Sequence, residues 1–151
     1  MDQRLVVALA LILFALPAAA QTRIIDGDTL DIDGTRYRLF AMDAPERTQR
    51  CLKDGLAWPC GTAATDALIA LIAGRPIECR AIELDRYGRN VAVCSVAGMD
   101  LGEAMVQRGW ALAYRSFSTV YVDEENFARV SKAGIWTSGF VTPEEWRRGL
   151  R

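Results

Sequence analysis

Cys79 and Cys94 stand at equal distances on either side of Asp85-Arg86-Tyr87-Gly88, a run of turn-forming residues between two β-type segments, Ile77 to Ile82 and Asn90 to Val96. In a hairpin centred between Arg86 and Tyr87, facing residues carry numbers that sum to 173, as these two cysteines do. The spacing therefore makes Cys79–Cys94 the candidate cross-strand disulfide and leaves Cys51 and Cys60 to close a small loop beside Glu46. Four cysteines admit three pairings, and the hairpin selects this one. A zinc site is the competing use of the cysteines, but the chain has no Cys-x-x-Cys and no histidine.

Disulfides imply an oxidising compartment, and the N-terminus agrees. Asp2 and Arg4 precede an apolar run from Leu5 to Leu16, followed by Pro17-Ala18-Ala19-Ala20 ahead of Gln21. This pattern predicts a cleavable export signal over residues 1–20 and one domain over 21–151. The apolar run is shorter than the roughly 20 residues a membrane span needs, so retention as an anchor is the weaker alternative. The expected location is periplasmic or secreted, with no membrane attachment after cleavage.

The whole chain carries a net charge of −1. A protein that grips long nucleic acid by overall charge is usually basic, so any phosphate binding here falls to local groups. Sixteen of the 18 basic residues are arginine, whose planar fork suits bidentate phosphate contacts, although a coding bias toward arginine gives the same count.

From Thr22 to Met42, short β-type runs alternate with turns. Asp33-Gly34 between Thr29–Ile32 and Thr35–Met42 predicts a hairpin. A helix is expected from Thr62 to Ala73, with Ala64, Leu68, Leu71 and Ile72 on its apolar stripe and Gly74 as its stop. Asp100 and Glu103 read as a capping box for a helix ending at Gly109. Asp123 to Lys132 reads as a third helix, with Phe127 and Val130 inward and Gly134 closing it. Thr142-Pro143-Glu144-Glu145 opens a short terminal helix. Early strands, interspersed helices and no βαβ rhythm predict an α+β fold on a small antiparallel barrel.

With no histidine, acid–base chemistry near neutral pH depends on a carboxylate, a metal-bound water or an arginine-stabilised charge. Three stretches supply these: Asp26-Gly27-Asp28-Thr29, Arg38-Leu39-Phe40-Ala41-Met42-Asp43-Ala44-Pro45-Glu46 and Asp85-Arg86-Tyr87-Gly88-Arg89. Taken singly, each has an ordinary explanation, such as a turn, a cap, an outward strand arginine or a solvated hairpin tip. Together they offer hard oxygen ligands for a cation and two guanidiniums for a phosphate.

In order and interval, the three stretches resemble the active-site motifs of the staphylococcal (micrococcal) nuclease, or thermonuclease, family from about Ile24 to Trp136. The resemblance implies a five-stranded antiparallel OB-type β-barrel with three helices, here with a short C-terminal helix added. It also implies Ca²⁺ as cofactor, held by Asp28, Asp43 and the backbone carbonyl of Ala44, with Asp26 behind them on a metal-bound water. By the same resemblance, Glu46 orients or deprotonates the attacking water, while Arg38 and Arg89 clamp the scissile phosphate. Tyr87 and Tyr114 line a nucleotide pocket, and Arg86 stands where a secondary phosphate contact falls. For a further pocket aromatic, Phe117 and Tyr121 compete.

The implied function is Ca²⁺-dependent hydrolysis of DNA and RNA by a monomer, favouring single-stranded substrate and leaving 3′-phosphate ends. Two rivals come from other classes: a non-catalytic OB-type module that binds nucleic acid or protein, and an exported structural or interaction domain.

Overall fold

The computed structural model describes residues 21–151; the export signal expected over 1–20 lies outside them. Short β-type runs cut by turns fold as β1 (Thr22–Ile24), β2 (Thr29–Ile32) and β3 (Thr35–Leu39), an antiparallel meander. At the β2–β3 turn Asp33 and Gly34 both take positive φ, 50° and 82°, the backbone that matches the twist of a two-residue hairpin. β3 stops at Leu39, short of the expected Met42. Ala41 turns the chain with φ 57°, and Met42–Asp43 becomes a separate strand, β4.

Next come a small hairpin, β5 (Cys51–Lys53) and β6 (Leu56–Trp58), and helix α1 (Cys60–Ile72). The loop expected between Cys51 and Cys60 is thus itself a hairpin, turned at Asp54-Gly55 and closed by the Cys51–Cys60 disulfide with its Cα atoms 5.7 Å apart. On α1 the buried stripe includes Ala64, Leu68, Leu71 and Ile72, as the periodicity predicts, and Ala73 caps the helix in the left-handed region.

β7 (Glu78–Leu84) and β8 (Asn90–Val96) form the long hairpin. Cys79 faces Cys94 and is disulfide-bonded to it. The register set by that pair holds from Glu78/Ser95 to Ala81/Ala92, then shifts at a bulge between Ala81 and Glu83. β8 also pairs with the two-residue β9 (Met99–Asp100) and runs alongside β3. The resulting six-stranded sheet, a five-strand path β1-β2-β3-β8-β7 with β9 beside β8 off it, is a partly open sheet of OB type within an α+β fold. It differs from a wholly antiparallel barrel in one pairing: β3 and β8 are parallel, because the chain returns to β3 only after α1 and the turn of the long hairpin.

The remaining elements are α2 (Leu101–Gln107), β10 (Leu112–Ala113), α3 (Val122–Val130), a 3₁₀ turn at Gly134–Thr137 and α4 (Pro143–Arg147). β10 pairs with β4. The Asp100 side chain caps α2 by accepting from the Gly102 and Glu103 N–H groups. α3 corrects an expectation: Phe127 and Val130 point outward, 60% and 82% exposed, while Glu125 and Ala128 are buried. The cause is polar. Glu125 turns inward to accept the Ala113 N–H at 3.0 Å and to pair with Arg115, which rotates the helix away from its apolar residues. Among the described residues no helix is long and apolar enough to cross a membrane.

The main core gathers Leu30, Leu39, Met42, Leu68, Leu101 and Met105 between sheet and helices. A second cluster collects Cys51, Cys60 and Ile135 with Trp58, Trp110, Trp136 and Phe140. It roots the C-terminal arm, because the Leu52 and Gly139 backbones exchange two hydrogen bonds of 2.7 Å each.

Candidate active site

Close backbone approach brings the first two acids together. A Cβ on Gly27 would stand 2.7 Å from the Ala44 Cβ and 3.2 Å from that of Ala64, so only glycine lets the Asp26–Asp28 turn seat against the segment carrying Asp43. Asp28 is then buried with its Oδ2 accepting the Ala44 N–H at 3.3 Å and its Oδ1 accepting the Thr29 hydroxyl at 2.8 Å. Asp43 is buried as well.

Arg38 faces Thr29 across the β2–β3 ladder, and this register aims its guanidinium at both acids. Its Nη1 lies 3.1 Å from Asp28 Oδ2, and its Nη2 donates to Asp43 Oδ1 at 2.9 Å. Burial works against the arginine charge, but Asp28 and Asp43 outweigh it, so the guanidinium holds its proton more tightly than a free arginine.

Asp26 accepts the Asp28 N–H at 3.0 Å. Burial, and then the Asp28 carboxylate beside it with a further contribution from Glu46, push the Asp26 carboxyl up to about 7. Among the described residues no three acidic, histidine or cysteine side chains form a metal cage. The donor set is instead two buried carboxylates with backbone nearby, hard oxygen ligands that fit Ca²⁺ or Mg²⁺ when water and substrate complete the shell.

A second close approach positions Glu46. A Cβ on Gly61 would fall 1.8 Å from the Glu46 carbonyl oxygen, so the first turn of α1 rests directly on the Glu46 backbone. Buried Gln49 accepts the Glu46 N–H at 3.1 Å and donates its own backbone N–H to the Glu46 carbonyl at 2.7 Å. The Glu46 side chain stays one-third exposed.

Arg89 approaches from the hairpin. Its Nε donates to Asp85 Oδ2 at 2.8 Å, and its Nη1 reaches the Thr29 hydroxyl at 3.4 Å, the same hydroxyl that bonds Asp28. Arg86 and Arg89 place their guanidinium carbons 4.9 and 5.4 Å from the centroid of the exposed Tyr87 ring. Tyr114 stacks on Phe117 with ring centroids 5.7 Å apart. Asp85, Arg86, Tyr87, Arg89, Tyr114 and Phe117, with Arg38 and Glu46, line one open cavity of about 790 Å³, and the buried Asp28 and Asp43 lie behind Arg38 rather than on its wall. Of the two competing aromatics, Phe117 lines this cavity, whereas Tyr121 is buried with its hydroxyl donating to Asp100 at 2.7 Å.

Among known proteins, the family model for staphylococcal nuclease homologues matches residues 36–138. The chain belongs to the staphylococcal nuclease family. That membership makes it an enzyme of the nuclease class, whose general activity is nucleic-acid hydrolysis. Among its relatives, a succinoglycan biosynthesis protein of Rhizobium meliloti is 37% identical over 81% of this chain and 66% of its own. An uncharacterized endonuclease of Escherichia coli O157:H7 is 33% identical over 83% of this chain and 81% of its own. A micrococcal nuclease of Shigella flexneri is 29% identical over 98% and 93%.

One site residue carried no signal in the family motifs. Arg147, the last residue of α4 and beyond the matched span, forks onto the acids: Nη1 donates to Asp43 Oδ1 at 3.0 Å and to Glu46 Oε1 at 2.8 Å, and Nη2 to Asp43 Oδ2 at 2.9 Å. The capping box Thr142/Glu145 announces the helix that carries it, but local spacing does not say which surface that helix meets.

Proposed function

We propose that this protein is an exported, Ca²⁺-dependent phosphodiesterase that cleaves DNA and RNA and favours single-stranded substrate. The observation that carries the reading is that buried Asp28 and Asp43 share the Arg38 guanidinium, which itself lines one cleft with Glu46 and Arg89, while Arg89 reaches Asp28 through the Thr29 hydroxyl. In this reading residues 1–20 are a cleaved signal, 21–151 are a single domain acting as a monomer free of the membrane in the periplasm or medium, and the two disulfides suit that compartment.

Asp28, Asp43 and the Ala44 carbonyl would hold the cation, with Asp26 behind them placed to accept from a water beside it. When bound, Ca²⁺ would polarise a phosphoryl oxygen and offset the charge building on it. Glu46 orients the attacking water and accepts its proton. An ordinary glutamate is a weak base at neutral pH, so placement of the water and charge neutralisation by Arg38 and Arg89 account for most of the barrier reduction. Water attacks phosphorus in line, the 5′-oxygen leaves, and the product ends in a 3′-phosphate. Tyr87 and Tyr114, both lining the cavity, offer ring faces to unpaired bases, a sequence-tolerant form of binding, with Arg86 as a secondary phosphate contact.

The test is incubation of the purified protein with denatured DNA and with RNA, with Ca²⁺ or with chelator, followed by end analysis. Cleavage that leaves 3′-phosphates and stops with chelator supports the reading. Retention on DNA without cleavage indicates a binding module, and neither cleavage nor retention indicates an interaction domain.

A further inference from the structure

Resting on the metal-dependent reading above, we propose that Arg147 is a third working guanidinium of the site, one that yields Asp43 to a divalent cation, frees Glu46 for the attacking water and turns to the substrate phosphate. Asp43 Oδ2 is bonded by Arg147, and its Oδ1 is shared between Arg147 and Arg38. Glu46 Oε1 accepts from the same Arg147 nitrogen that reaches Asp43. A cation ligated by Asp43 therefore needs lone pairs that Arg147 now holds, and two positive groups on one carboxylate repel each other. Arg147 and a divalent cation compete for these oxygens.

The geometry identifies which arginine yields. The Arg38 side chain is 15% exposed and fixed by the β2–β3 register, whereas that of Arg147 is 37% exposed and sits at the end of a five-residue helix. The helix itself is fastened. Pro143 is fully buried, Glu145 and Thr142 bond reciprocally, and Gln49 donates to the Val141 carbonyl at 2.9 Å while holding the Glu46 N–H. The guanidinium can thus swing on its own flexible stem while its anchor stays beside the cleft. It lines the same cavity as Arg38 and Arg89, and a planar fork freed from a carboxylate fits two phosphate oxygens in the same bidentate manner.

Calorimetric titration of Ca²⁺ without nucleic acid, into wild type, Arg147→Gln and Arg147→Lys, tests the first half. Arg147→Gln is expected to bind Ca²⁺ about tenfold more tightly, the scale of losing one charged hydrogen-bonding competitor. Turnover of single-stranded DNA at saturating Ca²⁺ tests the second half. Arg147→Gln is expected to fall at least about tenfold, with partial recovery in Arg147→Lys, which keeps the charge and loses the fork. Arg148→Gln, whose native partner is Glu144 on the same helix, should match wild type in both measurements. Unchanged or weaker affinity in Arg147→Gln overturns the competition, and tightening in Arg147→Gln that Arg147→Lys, with the charge kept and the fork lost, does not share even in part assigns the gain to removed charge and overturns it as well. Tighter binding with undiminished turnover overturns the phosphate role. If wild type neither binds Ca²⁺ nor cleaves, the functional reading itself falls, and this proposal with it.

Discussion

Arg38 and Arg147 put the same chemical group on the same carboxylate from parts of the molecule with opposite character. Arg38 belongs to a strand in the middle of the main sheet, five residues from Asp43, and its partners are set by ladder register. Arg147 comes from 104 residues away on a terminal arm held by one backbone bridge, one amide and a disulfide-closed hairpin. Removing Arg38 strips a partner from two buried carboxylates, Asp28 and Asp43, while removing Arg147 strips one from buried Asp43, which keeps Arg38, and from the partly open Glu46. The barrel half of the site is therefore coupled to the fold, and the arm half is free to be coupled to function.

Several variants sharpen or break that contrast. Glu46 lies between the halves, seated on α1 and touched by Arg147. Glu46→Gln should lower turnover by about 10²–10⁴ with an unchanged melting temperature, and wild-type rates in that variant would remove the general base. Arg38→Ala should cost about 3 kcal/mol of stability, near the low end for breaking a buried pair because Arg147 remains on Asp43; chemical denaturation measures this, and a neutral result would mean the barrel half is not tied to folding.

The disulfides make a matched pair. Replacing either by serines should cost about 2–4 kcal/mol, but only Cys51→Ser/Cys60→Ser, which loosens the hairpin bonded to Gly139, should also change Ca²⁺ affinity. An equal change in Cys79→Ser/Cys94→Ser would erase the distinction between arm and barrel.

The smallest effect belongs to Asp85. Partial burial raises its carboxyl, but the Arg89 N–H and guanidinium and the Tyr87 N–H outweigh that and hold it below the ordinary aspartate value. A lowered folded value stabilises above the unfolded pKa and is lost as pH falls through the folded one. Asp85→Asn should therefore cost below about 1 kcal/mol at pH 7, and its difference from wild type should begin to shrink in unfolding curves near about pH 4 and vanish only below the lowered folded value.

The parts of the molecule legible in the sequence are those fixed by short-range rules. The Cys79–Cys94 pairing follows from turn position and register, the Asp33-Gly34 hairpin from backbone sterics, and α1 from its apolar period. Even there the bulge at Ala81/Glu83 escaped, since a one-residue slip near a turn has no pattern of its own. α3 misled for an instructive reason: its most apolar residues face water because Glu125 satisfies the Ala113 N–H, and a buried polar bond outranked periodicity. The acids and Arg38 lie within ordered motifs that name them. Arg147 does not, because its role depends on how far an arm reaches, which Gln49, Leu52 and Gly139 decide through contacts distant in sequence.

The central question is whether barrel and arm form one site at Asp43. A double-mutant cycle of Arg38→Ala and Arg147→Ala, read as kcat/KM on single-stranded DNA with Ca²⁺, measures this directly. Shared action on Asp43 and one phosphate predicts losses that depart from additivity by more than about 1 kcal/mol. Losses that add within about 0.5 kcal/mol would show two independent arginines and contradict the account.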